Sequence, residues 1–472
     1  MIEYHRWTAV EAVSRLRNGD VTPLELIDAA AERIAVVEPA VNALPTLCLD
    51  RARDRARNLP RPDGDDPGHL FGLPVAIKDL TAVAGARTTF GSSVFADHVP
   101  QTSDLLVTRL ERRGASIVAK SNTPEFGAGA QTFNDVFGIT RNPWNTQLTP
   151  GGSSGGSAVA VTTGEVWLAH GGDLGGSLRI PASFCGCVGL RPSPGRVPRG
   201  PVNLPFNPNW VDGPMARTVA DLALFLDALG GIHPLDPISL PAPARSFQAA
   251  VAQGRPPRRV AFSMDLGVSP VHPEVRAGTL AALRYFRDMG TEVVPLAMEF
   301  GDAEPMFQTL RAAQFAGDHA ETLSRHRDRL KPEVVWNIEK GMALTADDIG
   351  RAERARADLY QRFVRQFEDV DLIVTPTVNT PPFHVDTRYL EELDGQAFES
   401  YVSWLVMTFA ISLTTCPAIS IPCGFTSDGL PLGLQLVGGP RGEAELLGMT
   451  RHFEDATGLR GRLPIDPVVR HT

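Results

Sequence analysis

Lysine is nearly missing from this 472-residue sequence: only Lys78, Lys120, Lys331 and Lys340 stand among its 45 basic side chains. Arginine supplies the rest, so each lysine marks a place where an amine able to lose its proton differs from a guanidinium that stays charged. Positive charge is also outweighed overall, at a formal net charge of −9, which argues against a nucleic-acid partner held through its phosphates. Cysteine is scarce. Cys48, Cys185, Cys187, Cys416 and Cys423 form an odd set without a C-x-x-C pair or zinc-ligand spacing, so the sequence predicts reduced, buried thiols, no disulfide framework and no metal. Long apolar runs are lacking too. No stretch approaches the roughly 20 residues of a membrane helix, and the opening segment has no signal-peptide core. The expectation is a cytoplasmic protein with no membrane partner.

What is present fits a packed globular chain, with 43% hydrophobic and 21% charged residues, unlike the composition of disorder. Length alone favours two or three domains. Thr22-Pro23-Leu24-Glu25 predicts a capped helix start, followed by Ile27, Ala30, Ile34 and Val37 at helical spacing. The helical style continues over 51–57, and a polar loop follows at 61–68. An apolar run at 73–77, a helical pattern at 103–113 and a second run at 115–119 give a strand-helix-strand rhythm. That rhythm returns at 258–263, 273–289 and 291–296. Thr218 should cap a helix ending before Gly230-Gly231, and 303–368 reads as helical. Strands are predicted at 371–377, 417–422 and 430–438, with a closing helix near 441–456. The Gly-, Ser- and Pro-rich segment 145–200 is expected to form loops and helix starts at one edge of a sheet. Together these predict a layered α/β protein.

The chemistry concentrates in that segment. TPGGSSGGSA at 149–158 places glycines where a backbone can approach a ligand closely. It lacks the terminal Gly-Lys-Ser/Thr of a phosphate-binding loop and is too short and too enclosed by regular elements for a flexible linker. A second Gly-Gly-Ser cluster follows in DLGGSLRIPASFCG at 173–186, and upstream FGLPVAIKDL sets Lys78 directly after a strand.

These three segments, in this order, resemble the amidase signature family. The resemblance extends to SNTPEFG at 121–127, RNPWN at 141–145, CGCVGLRPSPGRVP at 185–198, DGPMARTVADLALFLDAL at 212–229 and PAISIPCGFTSDGLPLGLQLVG at 417–438. It implies Ser177 as nucleophile, with Ser153, on a cis peptide bond after Gly152, bridging it to Lys78. The residue types agree with that. A serine hydroxyl needs a base, and a lysine can serve when burial has removed its charge, whereas an arginine cannot. The N–H groups of Leu174, Gly175, Gly176 and Ser177 are grouped to hold an oxyanion. Ser154 and Asp173 are expected to support the site through hydrogen bonds, or else to be ordinary turn residues. Arg179 should brace the loop or meet substrate. His170 is a lone histidine and is left outside the catalytic set, and Cys185 reads as a core thiol. Aromatic segments around Trp144, Phe206–Trp210, Tyr401–Phe409, Phe133 and Phe137 would line a pocket or fill the core.

The resemblance also implies a single domain over 1–472, overriding the length argument. Its fold would be a mixed, mostly parallel central β-sheet covered on both faces by helices. The signature core would span about 70–230, and a helical, substrate-lining region about 300–415. The expected activity is cleavage of amide C–N bonds, with esters or carbamates as further candidates, in small-molecule substrates, with no cofactor, by a monomer or homodimer. The alternative is the A subunit of a glutamyl-tRNA amidotransferase, which releases ammonia from glutamine and passes it to a partner. RIPASFCG after the nucleophile and SLTTCPA at 412–418 favour the stand-alone hydrolase. A fold retained only for binding would be expected to have lost one of Lys78, Ser153 or Ser177.

Overall fold

The computed structural model describes residues 2–59 and 64–470. Positions 61–63 of the predicted polar loop lie outside the described residues. Local signals in the sequence set the helix starts. Thr22 Oγ1 accepts from the Glu25 N–H at 3.2 Å and Glu25 Oε2 from the Thr22 N–H at 2.7 Å, which opens the helix Pro23–Val41. Such a reciprocal cap satisfies two amide donors that a helix start would otherwise leave bare. Thr218 Oγ1 likewise accepts from Asp221 N, and the helix Val219–Leu229 stops at Gly230. The predicted helical stretch 303–368 consists of Ala303–His326, Pro332–Met342 and Ala346–Arg365. Pro332 and the Thr345 cap mark the second and third starts.

One eleven-stranded sheet runs through the molecule. Its order is Thr46–Leu47, Ser116–Ser121, Pro74–Lys78, Leu168–Asp173, Val211–Ala216, Val188–Arg191, Ala418–Phe425, Pro431–Val437, Leu372–Pro376, Arg259–Phe262 and Glu292–Pro295. The sheet is mixed, as expected, but its predicted mostly parallel character is corrected. Four neighbouring pairs are parallel and six are antiparallel. The strand-helix-strand rhythm that the sequence shows belongs to the two flanks, where a helical crossover returns the chain in the same direction. Between them the chain reverses, as where a short turn at 426–430 joins two long antiparallel strands.

Helices cover both faces. Within Pro74–Lys78, Val75 and Ile77 join one hydrophobic layer and Ala76 the other, as the two-residue period of a strand requires. The first layer holds Leu222, Phe225, Leu446 and Phe453 from Val219–Leu229 and Glu443–Thr457. Opposite lie Ala158–Val161 at one end, and Phe307, Leu310, Phe363 and Phe409 at the other. Each large apolar side chain sealed this way contributes about 1.5–3 kcal/mol.

A second correction concerns 145–200. Besides the helices Gly155–Thr162 and Arg179–Cys185, it contains the strands Leu168–Asp173 and Val188–Arg191, and Val211–Ala216 follows soon after. Every residue of these strands is buried. A strand covered on both faces shows no apolar-polar alternation, and LAHGGD and VDGPMA also carry strand-poor residues. No helix among the described residues is long and apolar enough to cross a membrane.

Candidate active site

Pro74–Lys78 and Leu168–Asp173 run parallel as neighbours, so their carboxyl ends reach the same edge of the sheet. Lys78 is the last residue of the first strand, and the loop carrying Ser177 leaves the second. Ser153 and Ser154 occupy the turn before the helix Gly155–Thr162. The edge of a sheet at its strand ends is where open α/β folds gather their ligands.

Lys78 is fully buried, with Nζ 2.7 Å from Ser153 Oγ, 2.8 Å from Ser154 Oγ and 3.5 Å from the Gly172 carbonyl. The Trp210 ring centroid lies 5.4 Å from the same nitrogen. Burial lowers the lysine to about 7, against the opposing charges of Asp212 and Asp173. The amine is thus surrounded by two hydroxyls, a carbonyl and an aromatic ring, with no carboxylate bonded to it among the described residues. The peptide between Gly152 and Ser153 is cis, and a Cβ on Gly152 would stand 3.0 Å from Gln131 N. Ser154 proves to be more than a turn residue. Its Oγ takes the lysine contact above, donates to Gly172 O at 3.2 Å and accepts from Gly172 N at 3.3 Å.

Ser177 is half-buried, and its carbonyl accepts the Ser154 N–H at 3.2 Å. Its hydroxyl makes no hydrogen bond within the described residues. Lys78 and Ser153 are therefore in direct contact, whereas Ser177 joins them here through its backbone.

Asp173 ties down the loop that carries Ser177. Its Oδ1 accepts from Gly176 N at 2.8 Å and Arg179 Nη2 at 3.0 Å, and its Oδ2 from Leu178 N at 3.2 Å and Arg179 Nε at 3.0 Å. Burial works to raise this carboxyl, but Arg179 and Arg191 hold it well below the usual carboxylate range. Of the four amides expected to face an oxyanion, that of Gly176 is engaged by Asp173. Those of Leu174, Gly175 and Ser177 have no protein partner among the described residues. Gly176 itself sits at φ +129°, and a Cβ there would fall 2.2 Å from Thr408 Oγ1. Thr408 also donates to the Gly175 carbonyl at 2.6 Å.

Arg179 braces the loop. Fully buried, it completes its donors with Thr408 O at 2.9 Å, Gln435 Oε1 at 2.6 Å and Ser412 Oγ at 2.7 Å. His170 bonds through Nε2 to Asp212 Oδ1 at 3.1 Å, and among the described residues its side chain makes no hydrogen bond to Ser153, Ser154 or Ser177. Cys185 is a buried thiol facing Pro150 O at 3.5 Å, raised well above its ordinary value by burial.

The aromatic candidates divide. Trp210 and Phe126 line a cavity of about 270 Å³ that Leu174 also borders. Phe409 stacks on Phe307 at 4.4 Å inside the core, and Phe206 is exposed. Trp144 donates to Cys185 O at 2.9 Å, beside Phe425. Phe133 and Phe137 lie beneath the cations of Lys331 and Arg87 respectively.

Sequence reasoning missed Asp212, Arg191, Thr408 and Gln435 as site residues. Asp212 also faces Arg199 at 3.3 Å and accepts from Trp210 Nε1 at 3.3 Å. Its position two residues beyond Trp210, at the start of DGPMAR, was the one local signal available.

The sequence matches the family model described as Amidase over residues 25–447. An acylamidase from Rhodococcus erythropolis is 34% identical, over 98% of this chain and 98% of that protein. The A subunit of the glutamyl-tRNA(Gln) amidotransferase from Synechococcus sp. (strain RCC307) is 35% identical, over 96% of this chain and 98% of its own length. Among solved structures, a bacterial aryl acylamidase of the amidase signature enzymes superposes with a TM-score of 0.90. It shares 26% identity, with 98% of this chain and 99% of that one covered.

Proposed function

The chain belongs to the amidase signature family, and from that premise we propose that it hydrolyses amide C–N bonds of small molecules through an acyl-enzyme on Ser177. The observation that carries the proposal is Lys78: a buried amine near neutrality, 2.7 Å from the hydroxyl of Ser153. Neutral Lys78 takes the proton of Ser153 as Ser153 takes that of Ser177. The contact between the Ser153 and Ser177 hydroxyls that this chain needs is proposed to form with substrate, since catalytic hydrogen bonds commonly tighten only then. Ser177 Oγ then attacks the carbonyl carbon. The unpaired N–H groups of Leu174, Gly175 and Ser177 receive the developing oxyanion, each such donor being worth about 2.7–4 kcal/mol where one has been removed elsewhere. Ser153 passes the proton to the departing nitrogen, and water cleaves the acyl-enzyme by the reverse path.

The relay calls on no cofactor, and it would act equally on esters or carbamates. One domain spanning the chain and a cytoplasmic setting belong to the same reading, supported by five buried, unpaired thiols of the kind that persist where glutathione keeps cysteine reduced. The hydrolase is preferred to the amidotransferase role on RIPASFCG after the nucleophile and SLTTCPA at 412–418. Purified protein should release aniline from simple anilides unaided, and a fluorophosphonate should label Ser177, as read by peptide mapping. Labelling with hydrolysis of glutamine alone would favour the amidotransferase role. Absence of an adduct on folded protein would defeat both enzyme readings.

A further inference from the structure

Amides can receive an oxyanion only if the peptides that carry them are held, and two of the residues concerned, Gly175 and Gly176, have no side chain to hold. Both must be glycine, since a Cβ would stand 2.8 Å from Phe307 Cζ at the first and press on Thr408 at the second. A peptide between two glycines meets no Cβ on either side, so it can turn over through paired changes in the dihedrals that flank it. Its orientation decides where the N–H groups on either side of it, those of Gly175 and Ser177, are aimed. Something outside the loop must therefore fix it.

Both ends of that peptide are clamped. Its N–H donates to Asp173 Oδ1 at 2.8 Å, and its carbonyl oxygen accepts from Thr408 Oγ1 at 2.6 Å. Thr408 is buried on the helix Val406–Leu413, 233 positions along the chain. Its hydroxyl carries one hydrogen and also lies 2.9 Å from Leu405 O of the preceding turn. The shorter contact receives that hydrogen: the buried Gly175 oxygen has no other donor among the described residues, and a carbonyl left so is costly.

The two clamps are also joined to each other. Thr408 O accepts from Arg179 Nη1 at 2.9 Å and from Ser412 Oγ at 3.1 Å. Arg179 in turn holds each oxygen of Asp173 at 3.0 Å. Hydroxyl, helix carbonyl, guanidinium and carboxylate thus close a ring of contacts around one peptide bond.

We infer that Thr408 is a positioning residue for acyl transfer: its hydroxyl holds the Gly175–Gly176 peptide in the orientation that leaves the Gly175 and Ser177 N–H groups free for the oxyanion. This role rests on the hydrolase reading and names what keeps its oxyanion donors aimed.

The test compares the full chain with Thr408→Val, which keeps the branched shape and loses the hydroxyl, and with Thr408→Ser, which keeps the hydroxyl. A fluorophosphonate bonds its phosphorus to Ser177 Oγ with loss of fluoride, and its phosphoryl oxygen takes the place of the oxyanion. The rate of labelling thus reads the donors whatever amide is the substrate. Thr408→Val should slow labelling at least about tenfold, short of the about 10²–10³-fold that losing a donor outright costs, and Thr408→Ser should stay within about threefold of the unmodified chain.

Phenethyl trifluoromethyl ketone, which takes up the serine oxygen at its carbonyl carbon and so gains an oxyanion, should lose affinity by a similar factor in Thr408→Val. Phenethyl methyl ketone, which stays trigonal, should bind as before. If Thr408→Val does not fold, Thr408→Ala should show the same selective loss. Unchanged labelling without the hydroxyl, equal losses for the two ketones, or a Thr408→Ser variant as slow as Thr408→Val would overturn the role while leaving the hydrolase in place. An unmodified, folded chain that forms no adduct on Ser177 would instead remove the hydrolase reading, and this role with it.

Discussion

If Lys78 is the base, the acid limb of the pH profile belongs to it. An ordinary lysine starts at 10.5, and this one is brought to about 7 by burial, a shift that disfavours the ammonium by roughly 5 kcal/mol. The sign follows from the chemistry: the neutral amine is the active form, so activity must rise with pH through the lysine's own titration. kcat/KM on an uncharged anilide, which reports groups of the free enzyme, should be half-maximal near pH 7 and fall about tenfold for each pH unit below that. An unshifted lysine would instead leave the rate climbing beyond pH 9. Lys78→Arg keeps a cation in place but cannot supply a neutral base, and general-base catalysis is worth about 10²–10⁴-fold. That variant should therefore lose at least about a hundredfold at pH 8, with no recovery at higher pH. Circular dichroism at each pH would show that the fold is unchanged across the profile. A flat profile from pH 5 to 8, or substantial activity in Lys78→Arg, would refute the reasoning.

Three further outcomes follow from the same contacts. Asp212→Asn removes the charge that most opposes burial at Lys78, so the acid limb should move to lower pH; an unmoved limb would show that the carboxylate does not act on the amine. Asp173→Asn leaves Arg179 and Arg191, both fully buried, without their shared counter-charge, and urea denaturation should register a loss of about 3–5 kcal/mol; a loss under about 1 kcal/mol would contradict the bracing role. Gly176→Ala places a Cβ against Thr408 at a φ that side chains rarely adopt, and kcat should drop at least about a hundredfold as the oxyanion donors shift; an unchanged kcat would mean that this loop does not hold the oxyanion.

What the chain disclosed on its own was what neighbouring residues decide. The helix starts at Thr22 and Thr218 were legible because a cap is made within three residues. Lys78, Ser153 and Ser177 were singled out because three segments resemble the amidase signature family, and the rarity of lysine agreed with that for Lys78. The supporting side chains were not. Arg179 meets Gln435 across 256 positions and Ser412 across 233, and His170 meets Asp212 across 42.

Tertiary structure likewise decided the direction of the middle strands, which strand-helix-strand rhythm cannot specify, and the strand state of LAHGGD and VDGPMA, buried on both faces with no alternation to show it. It also withdrew the Gly176 amide from the predicted donors by giving it to Asp173. Local hydrogen bonds and residue chemistry are properties of short segments, and a sequence displays them. Which buried charge meets which, and which N–H stays unpaired, depends on distances between segments that only the packed chain sets.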